Sequence, residues 1–221
     1  MATTYVLHGG KTSKSSELYF KKFTDLVNKD EVKILMCYWA REKNEWDSLL
    51  AKDYKRITKF TSKKVIFTVT PDPEDLLSQI DRHDVLFVAG GEAHLIEPLV
   101  PSLKELREKI DGKVYIGSSM GAFIVAKNYI LSFDSQDYKN VHHGFNLLPV
   151  SVLCHWDIEN RKVEKINSLK QKDPNAPIVT IDEGAFTTFV YWTMIPSFLK
   201  KNFPDHESDK EEKTHSKKQF W

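Results

Sequence analysis

VYIGSSMGAF, residues 114–123, is the segment from which the fold and the chemistry of this chain can be deduced. It reads as a short β-branched strand, a serine between glycines, and the start of a helix over residues 122–126. This is the G-x-S-x-G pattern of a nucleophile elbow with Ser119 at its centre. Gly117 and Gly121 leave room for a chain reversal so tight that the serine hydroxyl stands clear of the sheet. The alternative is a strand-to-helix turn that needs small residues only for packing.

Strands and helices alternate along the chain on both sides of this segment. Apolar runs predict buried strands, and the segments between most of them carry apolar residues at helical spacing. The further predicted strands span residues 4–7, 32–38, 65–69, 85–89, 150–153, 178–181 and 186–192. This order predicts an α/β fold with a doubly wound, mostly parallel sheet flanked by helices. We expect one domain over residues 1–200 and a charged, mobile tail over residues 201–221.

The composition is that of an ordinary soluble globular protein. Of 221 residues, 41% are hydrophobic and 29% are charged, and the net charge of +1 gives no reason to expect a nucleic-acid partner. No apolar run approaches the roughly 20 residues that a membrane-spanning helix needs. The N-terminus lacks the pattern of a signal peptide, and two cysteines, Cys37 and Cys154, do not make a disulfide framework. We therefore expect a cytoplasmic protein.

Three side chains with complementary chemistry directly follow predicted strands. They are Ser119, His155 and Glu183. Because ligands bind beyond the carboxyl ends of parallel strands, we expect all three on the same rim of the sheet. There His155 would accept the Ser119 proton, and Glu183 would orient the imidazole and stabilise its charged form. The alternatives are a hydrogen-bonded structural histidine at 155 and a carboxylate that only caps a turn with Gly184.

An oxyanion hole requires at least two N–H donors beside the nucleophile. One is the N–H of Met120, which follows Ser119 at the start of the helix. The second is expected from Gly90 and Gly91, which follow the fourth predicted strand. Loss of one such donor typically lowers the rate about 100- to 1000-fold.

Other residues compete for these roles. Asp134 and Asp157 are rival carboxylates for the orienting role. Cys154 beside His155 suggests a thiol nucleophile, but neighbours on an extended chain point to opposite faces. The pair at 142 and 143, His142-His143, would suggest a metal site, but no second pair of ligands accompanies it. We therefore expect neither a metal nor an organic cofactor.

These stretches resemble peptidase E (aspartyl dipeptidase) and cyanophycinase, a family of serine peptidases. The resemblance covers about residues 4–195 and rests on residues 89–91, 117–122, 144–148 and 181–184. The chain order of serine, histidine and acid fits this family, whereas the α/β-hydrolase order would need a histidine such as His206 in the charged tail. The resemblance implies a flavodoxin-like, class I glutamine amidotransferase-like fold. The serine at the elbow favours hydrolysis over the glutaminase chemistry of related domains that carry cysteine there.

The chain departs from the family pattern at two points. The Gly-Gly loop usually continues with Asn or Asp and a small polar residue, but here it continues with Glu92 and Ala93. The elbow usually has Ala where this chain has Met120. Peptidase E relatives cleave after an N-terminal aspartate, which requires a cation, and Arg161 is the candidate that the sequence offers. Glu92 would repel an aspartyl side chain but could hold the amino group of a substrate.

The resulting prediction is a serine peptidase that acts on dipeptides or similar small amides, Asp-Xaa among them. Its expected partner is a small peptide or amide substrate, and we expect it to bind neither nucleic acid nor a membrane. The sequence is compatible with a homodimer. The alternatives are a catalytically silent amidotransferase-like binding domain and an esterase or other acyl hydrolase that uses the same triad.

Overall fold

The structure is a computed structural model that describes residues 2–133, 135 and 137–192. Strands and helices alternate through its first half, as the sequence predicts. The strands in the described residues are β1 (Ala2–His8), β2 (Glu31–Cys37), β3 (Lys64–Val69), β4 (Val85–Val88), β5 (Val114–Ser118), β6 (Ala126–Tyr129), β7 (His142–His143), β8 (Leu148–Cys154), β9 (Ile178–Ile181) and β10 (Phe186–Trp192). The α-helices there are α1 (Glu17–Asp25), α2 (Trp46–Thr58), α3 (Pro73–Gln79), α4 (Ala93–Ile96), α5 (Leu106–Lys109), α6 (Met120–Val125) and α7 (Lys162–Lys172).

The larger sheet has six strands in the order β10-β1-β5-β4-β2-β3. All neighbours in it are parallel except β10, which runs antiparallel to β1. The elbow strand β5 lies between β1 and β4, so Ser119 follows an interior strand of the sheet. Its carboxyl end is therefore flanked by the ends of two other parallel strands, which is where ligands bind in open α/β sheets.

Both faces of this sheet are covered. Tyr5 and Leu7 of β1 join the apolar cluster that includes residues of α3, α4, α5 and α6, whereas Val6 joins the cluster formed with α1 and α2. Successive side chains of a strand point to opposite faces, so each strand contributes to both layers. This explains why the predicted strands read as nearly continuous apolar runs. The doubly wound, mostly parallel α/β fold expected from the sequence is confirmed.

The first four strands after the elbow helix, β6 to β9, form a separate sheet, whereas β10 returns to the larger one. The separate sheet has four strands in the order β7-β6-β8-β9, and β6, β8 and β9 are parallel. The expectation that His155 and Glu183 follow strands of the same sheet as Ser119 is therefore wrong. Strands β6 and β7 of this sheet lie in a stretch for which the apolar pattern predicts no strand. The physical reason is the shortness of α6, because the chain enters β6 at Ala126 directly after a helix of six residues.

The two sheets share apolar contacts. Val150, Val152 and Cys154 of β8 belong to the same buried cluster as Tyr5 and Leu7 of β1. Among the described residues, no helix is long and apolar enough to cross a membrane. The expected boundary near residue 200 and the tail over residues 201–221 lie outside the described residues.

Candidate active site

The elbow serine has a strained backbone. Ser119 lies between β5 and α6 with φ 48° and ψ −106°, a region that costs a non-glycine residue on the order of 1–3 kcal/mol. Its N–H donates to the carbonyl of His8 at 2.9 Å, and its own carbonyl accepts from the N–H groups of Ala122 and Phe123. The strain is thus maintained by bonds on both sides of the residue.

The two glycines of the pattern permit a close approach of helix and strands. A Cβ atom on Gly117 would lie 2.4 Å from the carbonyl oxygen of Gly121, and one on Gly121 would lie 2.1 Å from that of Val88. Neither distance is compatible with a side chain. The packing interpretation of the pattern and the elbow interpretation therefore describe the same geometry, since the tight packing of α6 produces the sharp turn.

Ser119, His155 and Glu183 meet although their strands belong to two sheets. The Oγ of Ser119 is 3.0 Å from Nε2 of His155, and Nδ1 of His155 is 3.2 Å from Oε1 of Glu183. His155 has φ 54°, and its N–H donates to the carbonyl of Gly9 at 3.1 Å. This bond joins the end of β8 to the end of β1. The two sheets therefore converge at their carboxyl ends.

Glu183 has a different partner on each carboxylate oxygen. Oε1 faces His155, while Oε2 accepts from Nζ of Lys14 at 2.6 Å and lies 3.3 Å from Nζ of Lys11. The side chain is only 4% exposed. The hydrogen bond from Lys14 is the largest cause that lowers the pKa of Glu183 to about 2, and the bonds from His155 and Lys11 add to it. The group is consequently a carboxylate at neutral pH.

The rival residues occupy other positions. Asp157 accepts the backbone N–H of Glu183 at 2.8 Å, so it holds the loop of the acid rather than the imidazole. Asp134 lies outside the described residues. Cys154 is buried and does not line the cavity. Burial raises the pKa of its thiol, which disfavours a thiolate nucleophile at this position.

Of the His142-His143 pair, His142 contacts two carboxylates. Nδ1 of His142 is 3.0 Å from Glu97 and its Nε2 is 3.3 Å from Asp137, and the ring stacks on Tyr129. In the described part of the chain, no group of three or more His, Cys, Asp or Glu side chains is arranged to hold a metal ion. The contacts of His142 therefore join β7 to the segment that precedes it and to the residue after α4.

A buried histidine that sequence reasoning missed, His8, holds the turn at Gly10 against which the His155 ring packs. Nδ1 of His8 accepts the N–H of Gly10 at 3.0 Å, and its Nε2 is 2.7 Å from Oγ of Ser15. Burial lowers the pKa of His8 to about 4, so the ring is neutral at pH 7. Its position after β1, on the rim already assigned to ligands, was the signal available in the sequence.

A cavity of about 460 Å³ opens beside the serine. Gly90, Gly91, Met120 and Glu92 line it together with Ser119 and His155. The N–H groups of Gly90 and Gly91 donate to no backbone acceptor within the part of the chain that the structure describes. The N–H of Met120 belongs to the first turn of α6, where helical N–H groups lack an intrahelical acceptor.

The structure does not bring Arg161 to this cavity. Its guanidinium pairs with Glu164 and lies 5.0 Å from the centre of the Tyr138 ring, and it is not among the lining residues. Arg41 and Arg56 line the cavity instead. Arg41 lies in the loop that follows β2, so the rim argument applied to the loop after every strand would have included it. A single arginine after a strand carries no motif, and sequence reasoning passed over it.

Comparisons with known proteins give the family. The family model described as Peptidase family S51 matches residues 5–190. A solved peptidase from an acI-B1 Actinobacterium superimposes with a TM-score of 0.59 at 14% identity, over 86% of this chain and 84% of that one. A candidate peptidase E protein from Listeria monocytogenes EGD-e gives 0.56 at 16% identity, over 86% of this chain and 98% of that one. At these identities the two structures show the fold alone, and no curated protein matches the chain.

The family match includes the elbow, His155 and Glu183 within its range. It spans most of the chain, both sheets and the residues that line the cavity around Ser119. This protein therefore belongs to peptidase family S51, the peptidase E family of serine peptidases.

Proposed function

We propose that the protein hydrolyses dipeptides or similar small amides, with Ser119, His155 and Glu183 as its catalytic triad. The observation that carries this proposal is the contact chain of 3.0 Å and 3.2 Å that joins the serine hydroxyl to the imidazole and the imidazole to the carboxylate. It begins on a strained elbow at the wall of a cavity, where nucleophiles of acyl-transfer enzymes are held.

The reaction has two halves. Nε2 of His155 accepts the Ser119 proton as Oγ attacks the substrate carbonyl, and the protonated imidazole then donates that proton to the leaving amine. Water, deprotonated by the same nitrogen, hydrolyses the acyl-enzyme and restores the serine. Glu183 accepts from Nδ1–H of His155 and stabilises the imidazolium that forms in each half.

The negative charge on the substrate oxygen needs donors beside Ser119. The N–H groups of Gly90, Gly91 and Met120 are the proposed oxyanion hole, since all three residues line the cavity with the nucleophile. A Cβ on Gly90 would lie 2.9 Å from Cβ of Ser119, so only glycine lets this loop approach the elbow so closely. Preorganised donors of this kind each lower the barrier by roughly 3–4 kcal/mol.

The cavity suits a small substrate with an anionic group. Its volume of about 460 Å³ is at the lower end of ligand sites. The basic side chains of Lys11, Arg41, Lys52 and Arg56 line it, against the carboxylates of Asp53 and Glu92. Asp-Xaa dipeptides fit this balance, with Glu92 as the proposed partner of the substrate's amino group.

The decisive experiment compares Ser119→Ala with Ser151→Ala on a panel of Asp-Xaa and other dipeptides. Ser119→Ala should lower kcat by orders of magnitude, on the order of 10⁶ in a well-studied serine protease. Ser151 lies in β8 with an unpartnered buried hydroxyl, so its replacement should leave the rate unchanged. Equal rates for Ser119→Ala and the wild type would overturn the triad. Ester analogues in the same panel separate an acyl hydrolase from a peptidase by the ester-to-amide preference.

A further inference from the structure

Arg41 occupies a distinctive place beside the proposed oxyanion loop. Its Nε donates to the carbonyl of Gly90 at 2.7 Å, and a Cβ on Gly91 would lie 2.9 Å from the same nitrogen. The residue is half-buried and lines the cavity together with Ser119. A cationic side chain is thus held against the Gly90-Gly91 loop, which borders the nucleophile.

The guanidinium of Arg41 forms no ion pair with any carboxylate of the described residues, unlike Arg56 and Lys11, which line the same cavity. Arg56 lies 3.7 Å from Asp53 and donates to Thr12 at 3.1 Å. Lys11 pairs with Glu183. A half-buried cation that faces a cavity without a protein counter-ion is a ready partner for an anion from solution.

We propose that Arg41 is a specificity-determining residue that binds a carboxylate of the substrate, an inference that rests on the proposed function. The single bond from Nε to Gly90 fixes the plane of the guanidinium and leaves the four Nη–H donors for a bidentate contact. Because Gly90 also borders the nucleophile, a carboxylate bound there lies close to the scissile carbonyl. In a dipeptide it comes from the side chain of the first residue or from the C-terminus.

Two substitutions separate charge from geometry. Arg41→Met removes the charge and the bond to Gly90, whereas Arg41→Lys keeps the charge but offers no planar fork. Arg161→Met is the matched control, since that arginine is paired with Glu164 outside the cavity. Thermal unfolding of each variant shows that the fold persists.

The test measures kcat/KM for Asp-Leu, Asn-Leu, Asp-Leu amide and Asn-Leu amide. Arg41→Met should lower kcat/KM roughly 10- to 100-fold for substrates that carry the recognised carboxylate and leave its neutral isostere nearly unaffected. Arg41→Lys should recover only part of the loss. If Arg41→Met affects Asp-Leu more than Asn-Leu, Arg41 binds the side-chain carboxylate of the substrate. If it affects the free dipeptides more than their amides, Arg41 binds the C-terminal carboxylate. An equal loss on all four compounds, or no loss on any, overturns the inference.

A second readout makes this result independent of turnover. Calorimetric binding of the four compounds to Ser119→Ala, with and without Arg41→Met, should show the same dependence on the carboxylate. Absence of any carboxylate-dependent binding overturns the role of Arg41. If Ser119→Ala retains wild-type turnover, the triad fails instead, and the binding data still decide the role of Arg41.

Discussion

Gly10 lies so close to His155 that a Cβ atom on Gly10 would be 2.3 Å from Cε1 of the imidazole. Gly10 has φ 99°, and its N–H donates to Nδ1 of the buried His8. The turn after β1 therefore forms a side-chain-free seat for the ring. The histidine that contacts Ser119 is positioned by a segment more than a hundred residues away in the sequence.

Replacement of Gly10 by alanine should displace this ring. We expect Gly10→Ala to lower kcat/KM about 100-fold or more, because a misplacement near 1 Å has effects of that size. Steady-state kinetics and the rate of fluorophosphonate labelling measure it. Gly112→Ala is the control, since Gly112 also has a positive φ, 76°, but donates to Thr3 away from the cavity. A labelling rate for Gly10→Ala equal to that of the wild type would contradict the role of Gly10 in positioning His155.

The two acids near His155 should have unequal effects on catalysis. Glu183→Gln removes the charge that stabilises the imidazolium, and we expect kcat to fall by roughly 10⁴, the loss known for the equivalent change in trypsin-like enzymes. Asp157→Asn keeps an oxygen that can accept the N–H of Glu183, so a loss under about tenfold is expected. Single-turnover kinetics of both variants measure the difference. A larger loss for Asp157→Asn would exchange the roles of the two acids.

The buried His8 should make folding stability depend on pH. Burial lowers the pKa of His8 from its ordinary value of 6.5 to about 4. As pH falls from 6.5 to 4, His8 becomes protonated in the unfolded chain but stays largely neutral in the folded chain. The free energy of unfolding therefore falls. The contribution of neutral His8 to the free energy of unfolding is fully present above pH 6.5. It is smaller by up to about 3 kcal/mol at pH 4.

Urea unfolding at several pH values checks this slope. His8→Asn keeps an acceptor for the Gly10 N–H and removes the titration, so its stability should vary less between pH 6.5 and 4. His94→Asn changes an exposed histidine of α4 and should leave the slope as in the wild type. A slope that persists in His8→Asn would show that another group causes it.

A buried ion pair should stabilise the wall of the cavity. Lys165 and Glu159 are 5% and 2% exposed, and Nζ of Lys165 also donates to the carbonyl of Leu131 at 2.6 Å. Leu131 lines the cavity. Lys165→Met leaves the carboxylate buried without its cation, and we expect the free energy of unfolding to fall by about 3–5 kcal/mol.

Chemical denaturation measures the effect, with the exposed pair of Lys21 and Glu17 as reference. Lys21→Met should lower the free energy of unfolding by at most about 0.5 kcal/mol. The double variant Lys165→Met/Glu159→Gln should be more stable than Lys165→Met alone, because no uncompensated charge remains. Equal costs for Lys165→Met and Lys21→Met would refute the contribution of the buried pair.

Local patterns predicted part of this molecule well. The strand, glycine-flanked serine and helix around Ser119 were deduced because backbone conformation and close packing there depend on neighbouring residues. The second sheet was not foreseen, because strand pairing depends on where the chain goes after α6 rather than on the apolar pattern of β6 or β8. Arg161 is near His155 in the sequence, but its side chain pairs with Glu164 and does not line the cavity.

The sequence by itself determined the α/β class, the elbow and three of the side chains that meet at it, Ser119, His155 and Glu183. The spacing of apolar residues and the positions of the glycines carry that information, since both are local properties of the chain. Only the tertiary structure decided that Asp157 holds the backbone of Glu183, that Gly10 seats His155 and that Arg41 faces the cavity. Each of these contacts joins segments that are distant along the chain, and their meeting depends on how two sheets converge at their carboxyl ends.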